Sequence, residues 1–452
     1  MSATNAALAL GHLLAEIRPG VAPRGHGEGF GEGEVQMDAE DASVIGQRAR
    51  MIRRRRGLSL DVTAGLAGIT KGYLSMLERG QRGFNRRGLS EDLAEALGCS
   101  VADLTGQPYL PVDRQSADTA ATIPGVSAAL HDSTLDDIPD VPARPLPELV
   151  RATAQANAFA DDARYAMAGR DMGALLAELH VHSVTGDSQG RQVALAALAE
   201  ACMVAYCLAY RIGHSDLAVV AARRGFDAAV RAERPDLAGM LAMSRTVALM
   251  RVGARRRAAT VCARVLDEIS ALPGPTPNDT TVAEACGTLH LTSALVAARE
   301  ARTSDVDMHL AEARSLAAHT GERNHLRYHF GPTNVAGWEL SIAAENGGGP
   351  DAAERFTAAA TDLSVLGSKC REGYVRFALA RCYAQAEGSR DGEALRALDA
   401  ADRLAPVVVR NDPIARDLVL TLDRRARRRV WELDSLRNRF GVSAQHARSV
   451  NN

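Results

Sequence analysis

The sequence predicts an all-α protein with more than one folded unit. Aromatic residues make up only 4% of the 452 residues while alanine, leucine and arginine are abundant, and this composition favours closely packed helices over sheets. Apolar residues make up 46%, which is enough to build cores, and the chain is longer than one core usually organises. Apolar positions recur at helical spacing over two long stretches. We therefore expect at least two helical domains.

Composition divides the chain into five segments. Residues 1–42 contain a glycine-rich run with little to bury, which predicts a disordered extension. A compact helical pattern occupies residues 43–105, and prolines in a polar stretch at residues 106–147 predict a linker. Residues 148–440 are a succession of amphipathic segments, and residues 441–452 are a tail.

Charge is distributed unevenly between these segments. The formal net charge of the chain is only −2. Residues 44–104 carry eleven Arg and Lys against six Asp and Glu, a net charge of +5, which leaves 42 against 49, or −7, for the rest. A small basic domain on an acidic body is typical of a protein that binds nucleic acid through that domain.

The cysteines and the N-terminus indicate the compartment. The seven cysteines are an odd number without a C-x-x-C pair, which predicts reduced thiols. The N-terminus lacks the basic start of a signal peptide, and no uninterrupted run of 18 apolar residues occurs. We expect a cytoplasmic protein that does not enter a membrane.

Residues 57–80 contain the parts of a helix-turn-helix in the required order. Ser59 is suited to cap a first helix, Gly68 to form the tight turn and Thr70 to cap the second helix. Leu74 and Leu77 recur at helical spacing and would hold that second helix on the core. Its other face, towards the N-terminal end, would then be free to enter the major groove of DNA.

This geometry gives two sets of candidate DNA contacts. The candidates for contacts to base edges lie on the second helix or cap it, and they are Thr70, Lys71, Gly72, Tyr73, Ser75 and Met76. The candidates for contacts to phosphates are arginines of the same domain, and they are Arg48, Arg53, Arg56, Arg82, Arg86 and Arg87.

Residues 44–104 resemble the lambda-repressor-like, or XRE-type, helix-turn-helix family. The resemblance includes the motif at 57–80 and continues through 93–98 and 101–104, which are similar to the family's last two helices. It implies a five-helix DNA-binding domain that recognises operators as a dimer. Because such domains recognise short half-sites, we expect a homodimer on a palindromic operator of double-stranded DNA.

The remaining helical pattern is repetitive. Similar segment starts occur near Gly213, Gly253, Thr303, Gly349 and Ser389, at spacings typical of helical hairpin repeats. Small residues recur where two helices must approach closely. The pattern resembles a tetratricopeptide-like (TPR-like) α-solenoid, and the combination with an XRE-type domain resembles peptide-sensing regulators in which an asparagine on the concave face holds the signal.

Residues 328–338 are the most unusual stretch of this half, because aromatic and polar residues surround a Gly-Pro pair. If Pro332 begins a helix, Asn334 and Trp338 share one face and can form a site for a peptide or small effector. A packed corner between repeats is the alternative. The remaining candidates for effector contacts are His329, Tyr206, Tyr210, Arg245 and His290.

No catalytic or metal-binding motif stands out. His325 and His329 would reach one metal ion if their segment were helical, but two ligands are too few, and hydrogen-bonded histidines are the preferred interpretation. We expect neither enzymatic activity nor a cofactor. The sequence predicts a sequence-specific transcription regulator whose repeat domain dimerises and senses an effector; the alternative is a DNA-tethered scaffold for protein partners.

Overall fold

A computed structural model describes residues 45–272, 279–428 and 430–442 of the chain. These ranges are helical and contain no β-strand, which confirms the all-α prediction. The extension predicted at residues 1–42 and residues 443–452 of the predicted tail lie outside the described residues.

The first five helices form the small domain predicted from the sequence. They are α1 (Ile45–Arg55), α2 (Leu60–Leu66), α3 (Lys71–Glu78), α4 (Arg87–Leu97) and α5 (Val101–Thr105). The side chain of Ser59 accepts a hydrogen bond from the Val62 amide at 3.2 Å and so caps α2, and Thr70 caps α3 in the same way. Gly68 has a φ of +64° in the turn between them, a conformation that glycine adopts without strain. Their buried side chains form a core of their own.

The other helices pack around a second, larger core. They are α6 (Arg114–Ala120), α7 (Ile123–Asp132), α8 (Leu146–Asp161), α9 (Tyr165–Gly169), α10 (Met172–Thr185), α11 (Ser188–Arg211), α12 (Ser215–Arg231), α13 (Pro235–Arg251), α14 (Arg255–Ser270), α15 (Thr281–Arg299), α16 (Thr303–Thr320), α17 (Pro332–Asn346), α18 (Gly349–Ala358), a 3-10 turn (Leu363–Leu366), α19 (Lys369–Ala384), α20 (Asp391–Leu404), α21 (Pro406–Arg410), α22 (Pro413–Arg425) and α23 (Trp431–Phe440).

The segment predicted as a linker at residues 106–147 is partly folded, and this corrects the prediction. It contains α6 and α7, and Val126 and Leu130 of α7 are buried in the larger core. Pro124 lies in the first turn of α7, where a missing amide hydrogen costs nothing because that amide has no helical partner. Pro124 of α7 and Pro147 of α8 thus lie in first helical turns, whereas the prolines at 108, 111, 139 and 142 lie in non-helical chain.

Ten consecutive helices from α11 to α20 form five pairs. In each pair the first helix is buried on most sides, whereas the second exposes one face to solvent. The first helices α11, α13, α15, α17 and α19 also pack against one another in chain order. The five positions at which repeated segments were predicted to start lie within two residues of the starts of α12, α14, α16, α18 and α20.

Close approach between paired helices depends on small residues. A Cβ atom added at Gly225 of α12 would lie only 2.8 Å from the Cβ atom of Cys202 on α11. The neighbouring positions Ala221 and Ala222 are also fully buried. Low side-chain volume at these positions therefore sets the distance between the two helices.

One helix of the described residues, α11, is long and apolar enough by length and composition to cross a membrane. However, 72% of its most apolar window is buried inside the fold, as expected for the core helix of a globular domain. All seven cysteines of the chain are free thiols.

Candidate nucleic-acid interface and internal cavity

Helix α3 is anchored on one face and open on the other. Leu74 and Leu77 are completely buried in the core of the small domain. Thr70, which caps the helix, is exposed, and so are the candidates for base contacts Lys71 and Gly72 in the first turn. The N-terminal end of this helix is therefore presented to solvent, as a helix that enters the major groove must be.

The other three candidates for base contacts are partly covered. Tyr73, Ser75 and Met76 are half-buried, and Tyr73 packs against the core of the small domain. The Lys71 ammonium lies 2.7 Å from a carboxylate oxygen of Asp61, and both side chains are exposed. An exposed pair of this kind contributes little free energy, so Lys71 can exchange this partner for a base or phosphate at low cost.

Four of the candidates for phosphate contacts lie at or near the surface. The Arg56 side chain is exposed and donates to the Gly98 carbonyl at 2.6 Å, and half-buried Arg48 donates to the Asp103 carbonyl at 3.4 Å. Arg82 pairs with Glu387 of the larger domain. Arg86 is half-buried and forms no ion pair with any of the described residues.

The remaining two candidates for phosphate contacts are buried, which corrects the sequence-based assignment. Arg53 is 8% exposed and donates to both carboxylate oxygens of Glu78, at 2.6 and 2.8 Å, thereby joining α1 to the end of α3. Arg87 is 6% exposed and pairs with Asp412 at 2.5 Å. In this arrangement neither guanidinium can reach a phosphate, because each is already neutralised inside the protein.

The pairing of Arg87 is part of a contact between the two domains, which belong to one compact unit. Helix α4 has no side-chain cap of its own at Arg86. Instead, a carboxylate oxygen of Glu345 on α17 accepts hydrogen bonds from the backbone amides of Arg87 at 2.8 Å and Gly88 at 3.2 Å. The larger domain thus caps a helix of the small domain with a negative charge, the sign favoured at a helix N-terminus.

Further polar contacts extend this attachment. Arg381 of α19 donates to the Asn85 carbonyl at 2.9 Å and to Glu345 at 2.5 Å. Arg299 of α15 pairs with Glu91 of α4 at 2.7 Å. We call the six side chains that form these ion pairs and caps the interdomain network; its members are Arg87, Glu91, Arg299, Glu345, Arg381 and Asp412.

The network keeps its two central carboxylates ionised. Burial would raise the pKa of Glu345, but the charges of Arg381 and Arg299 outweigh burial, and its pKa is lowered. Burial likewise opposes ionisation of Asp412, and the charges of Arg87 and Arg251 lower its pKa. Both carboxylates therefore remain charged at neutral pH and act as anionic partners for the arginines.

An internal cavity lies beside this network. The centres of water-sized molecules can occupy about 150 Å³ of it, whereas one water needs roughly 10–15 Å³. Most of its wall comes from the first helices of the five pairs and from α8, and the rest includes Tyr165 of α9, residues 327–329 and Arg87 of the small domain. Four members of the interdomain network line it, namely Arg87, Arg299, Glu345 and Arg381.

Five of the seven candidates for effector contacts line this single cavity, and two do not. The five are Tyr206, Tyr210, His329, Asn334 and Trp338. Arg245 instead lies over the ring of Phe226 at 5.5 Å, and the His290 ring contacts that of His309. These last two are therefore removed from the candidate site.

Asn334 is placed in the cavity wall but its amide is already engaged. Pro332 begins α17, and Asn334 lies 2% exposed in its first turn. Its Nδ2 atom donates to the Tyr328 carbonyl at 2.6 Å, and its Oδ1 atom accepts from Arg371 Nε at 2.5 Å. Asn334 thus positions Arg371, and both polar atoms of its amide are already engaged inside the protein.

Residues that the sequence analysis missed also line the cavity. Arg211 ends α11, and Arg371 and Tyr374 lie on α19. The Arg371 guanidinium lies 5.5 Å from the centre of the Trp338 ring and 5.3 Å from that of Tyr374. The available signal was the position of Arg211 directly after the uninterrupted apolar run at residues 201–210 of α11.

The two histidines that were considered as metal ligands face different partners. His325 Nδ1 lies 2.6 Å from Glu284, and His329 Nε2 lies 3.2 Å from Asp161. Their segment precedes α17 and is not helical. Within the described ranges no cluster of three or more His, Cys, Asp or Glu side chains could hold a metal ion.

Comparison with known proteins agrees with the geometry of the small domain. Residues 44–105 match the family model described as a helix-turn-helix domain. The N-terminal segment is therefore a helix-turn-helix domain of the kind that binds DNA, and the chain is suggested to be a DNA-binding regulator. Neither the curated proteins nor the solved structures contain a match to the chain.

Proposed function

We propose that this protein is a sequence-specific transcription regulator that binds DNA through residues 44–105 and responds to a small effector held in the larger domain. The observation that carries the proposal is the open N-terminal end of α3 on a basic helix-turn-helix domain. The proposal includes no catalytic step and no cofactor.

Sequence-specific binding is tested with the purified full-length protein alone. Selection from random double-stranded DNA should enrich one sequence, and a mobility shift should show that this sequence binds at least about a thousandfold more tightly than random DNA. Binding should weaken steeply with salt, because arginines and Lys71 displace counter-ions from phosphates. Equal affinity for the selected and random DNA would contradict sequence-specific regulation and favour the scaffold alternative.

The proposal includes a homodimer. One helix-turn-helix recognises a short half-site, and two copies related by a two-fold axis gain affinity and specificity on a palindromic operator. We propose that the larger domain supplies the dimer contact and that its five helix pairs form a TPR-like array. Sedimentation of the full-length protein should give the mass of two chains, and the selected DNA should contain two inverted half-sites; a monomer on a single half-site would contradict this.

Effector sensing is supported by the shared wall between the cavity and the DNA-binding domain. Arg87 belongs to helix α4 and lines the cavity, and Glu345 both lines the cavity and caps α4. A molecule bound there is in direct contact with the groups that hold the two domains together. Replacing Ser341, which lines the cavity on α17, with Trp should fill the space and abolish effector response without changing operator affinity.

A further inference from the structure

The cavity contains more positive than negative charge. Six of its lining residues are arginines, whereas Asp161 and Glu345 are its only lining carboxylates in the described part of the chain. The arginines are Arg87, Arg211, Arg299, Arg327, Arg371 and Arg381. Because most of these lining side chains are withdrawn from bulk solvent, a charge that lacks a partner costs free energy.

Four of the six arginines have a carboxylate partner and two do not. Arg87, Arg299 and Arg381 belong to the interdomain network, and Arg327 lies 3.9 Å from Glu200. Arg211 and Arg371 have no carboxylate within 4.0 Å among the described residues, and Arg211 Nε and Arg371 Nη2 are buried nitrogens without a hydrogen-bond partner there.

The two unpaired guanidiniums lie on the same aromatic ring. The central carbon of Arg211 is 5.5 Å from the centre of the Tyr374 ring, and that of Arg371 is 5.3 Å from it. Aromatic faces stabilise a cation, but they do not neutralise it. The two side chains therefore form a positively charged pair at one wall of the cavity.

Two shifts in pKa agree with this excess of positive charge. Burial lowers the pKa of Arg371 to about 10, and the nearby charge of Arg211 acts in the same direction. Burial would raise the pKa of Tyr374, but the charges of four arginines, Arg87, Arg381, Arg211 and Arg371, outweigh burial and lower it.

We infer that the cavity binds a small organic anion, with Arg211 and Arg371 as the counter-ions of a carboxylate or similar group. The remaining wall determines the rest of the ligand. Tyr206, Tyr210 and Trp338 supply aromatic surface, and Met203 and Met243 supply adaptable apolar surface. The ligand class is therefore an acid with an aromatic or other flat apolar body. This inference rests on the proposed effector role of the cavity.

A matched pair of probes tests the charge requirement. Phenylacetate and phenylacetamide have nearly the same shape, but only the first is charged at neutral pH. Titration of the full-length protein by calorimetry should show that phenylacetate binds at least tenfold more tightly. Because the chain has only two tryptophans, Trp431→Phe leaves Trp338 as a fluorescent reporter inside the cavity for the same titration.

Substitutions then test whether Arg211 and Arg371 cause the preference for the charged probe. Arg211→Gln combined with Arg371→Gln should reduce the ratio of the two dissociation constants to about one. Arg245→Gln, the same change on α13 outside the cavity, should leave the ratio as in the wild-type protein. The comparison of the two probes on the wild-type protein requires no substitution, so it still tests the inference if the double variant does not fold.

Three results would overturn the inference: equal binding of the two probes, binding of neither at millimolar concentration, or an unchanged ratio in a folded double variant. An operator shift measured on the same preparation separates this failure from that of the proposed function. If the operator shift is present and the charge preference is absent, only the ligand class is wrong. If the operator shift is absent, the regulator proposal itself fails.

Discussion

The attachment of the DNA-binding domain to the larger domain should depend on one carboxylate, Glu345. The substitution Glu345→Gln keeps the shape of the side chain and removes its charge. It weakens the cap on the amides of Arg87 and Gly88 and leaves the buried Arg381 without a carboxylate partner among the described residues. Losing one member of a buried ion pair typically costs about 3–5 kcal/mol, and weakening a charged helix cap adds about 0.5–1 kcal/mol.

The control for this substitution lies on the same helix. Glu339→Gln is the same chemical change on α17, but Glu339 forms a half-exposed pair with Arg314 at 2.6 Å. A pair of that kind contributes about 1 kcal/mol or less. Denaturant unfolding of both variants should therefore give a difference of about 2.5–6 kcal/mol between them, since the chemical change is the same at both positions.

Hydrogen exchange shows where the free energy is lost. In Glu345→Gln the amides of Phe84, Arg87 and Gly88 should exchange faster, because the domain contact opens locally, while the amides inside α3 stay protected by their own core. If Glu345→Gln destabilises no more than Glu339→Gln and leaves exchange at these amides unchanged, the interdomain network does not hold the domains together.

Three other predictions follow from particular side chains. Lys71→Ala should weaken binding to the selected operator by about 1–3 kcal/mol and random DNA much less, whereas Arg86→Ala should weaken both alike and reduce the salt slope by about one unit; mobility shifts distinguish the two. Burial lowers the pKa of His290 from 6.5 to about 4. Between these two pH values His290 is protonated in the unfolded state but not in the folded state, so the free energy of unfolding is unaffected above pH 6.5 and decreases as the pH falls towards 4. Because His290 is half-exposed, His290→Gln should reduce the acid-dependent loss of unfolding free energy by only about 1–2 kcal/mol, and equal pH profiles would contradict this. Gly287→Ala should destabilise the fold by about 1–3 kcal/mol, because the new methyl group would overlap the buried ring of Phe330. Gly65→Ala, in open space on α2, should stabilise the fold by about 0.5–1 kcal/mol, and thermal unfolding of both variants tests the two predictions.

The features that the sequence predicted well are determined by neighbouring residues. The turn at Gly68 and the caps at Ser59 and Thr70 depend on side chains within three positions of the backbone groups they serve. The starts of the second helices in the five pairs follow glycine, threonine or serine signals of the same local kind. Pro124 and Pro147 were misinterpreted because a proline breaks a helix interior but is favoured in a first turn.

The features that the sequence could not predict depend on distant partners. Arg53 and Arg87 lie in the same basic segment as the exposed arginines, so the sequence does not distinguish them. The carboxylates with which they pair are 25 and 325 residues away in the chain. Only the fold brings Asp412 next to Arg87. The cavity is an intermediate case. The stretch around Asn334 and Trp338, which the sequence made a candidate site, lies in the cavity wall, but only helix packing determines that no carboxylate of the described residues lies beside Arg211 and Arg371.

Under the proposed function, the position of Arg87 determines how an effector would act. Arg87 belongs to the DNA-binding domain, lines the cavity and is neutralised by Asp412 of the larger domain. An anion held by Arg211 and Arg371 would lie in the same cavity as Arg87 and Glu345, so its electrostatic contacts with these two side chains differ between the attached and detached arrangements. A ligand can shift an equilibrium only by such a difference. Couplings between sites are typically about 1–3 kcal/mol, which is less than the cost of breaking the whole network, so an effector would bias the attachment without breaking the network by itself. Linkage makes the effect reciprocal: if operator DNA favours the detached arrangement, it must change the affinity for the anion by the same factor by which the anion changes the affinity for DNA.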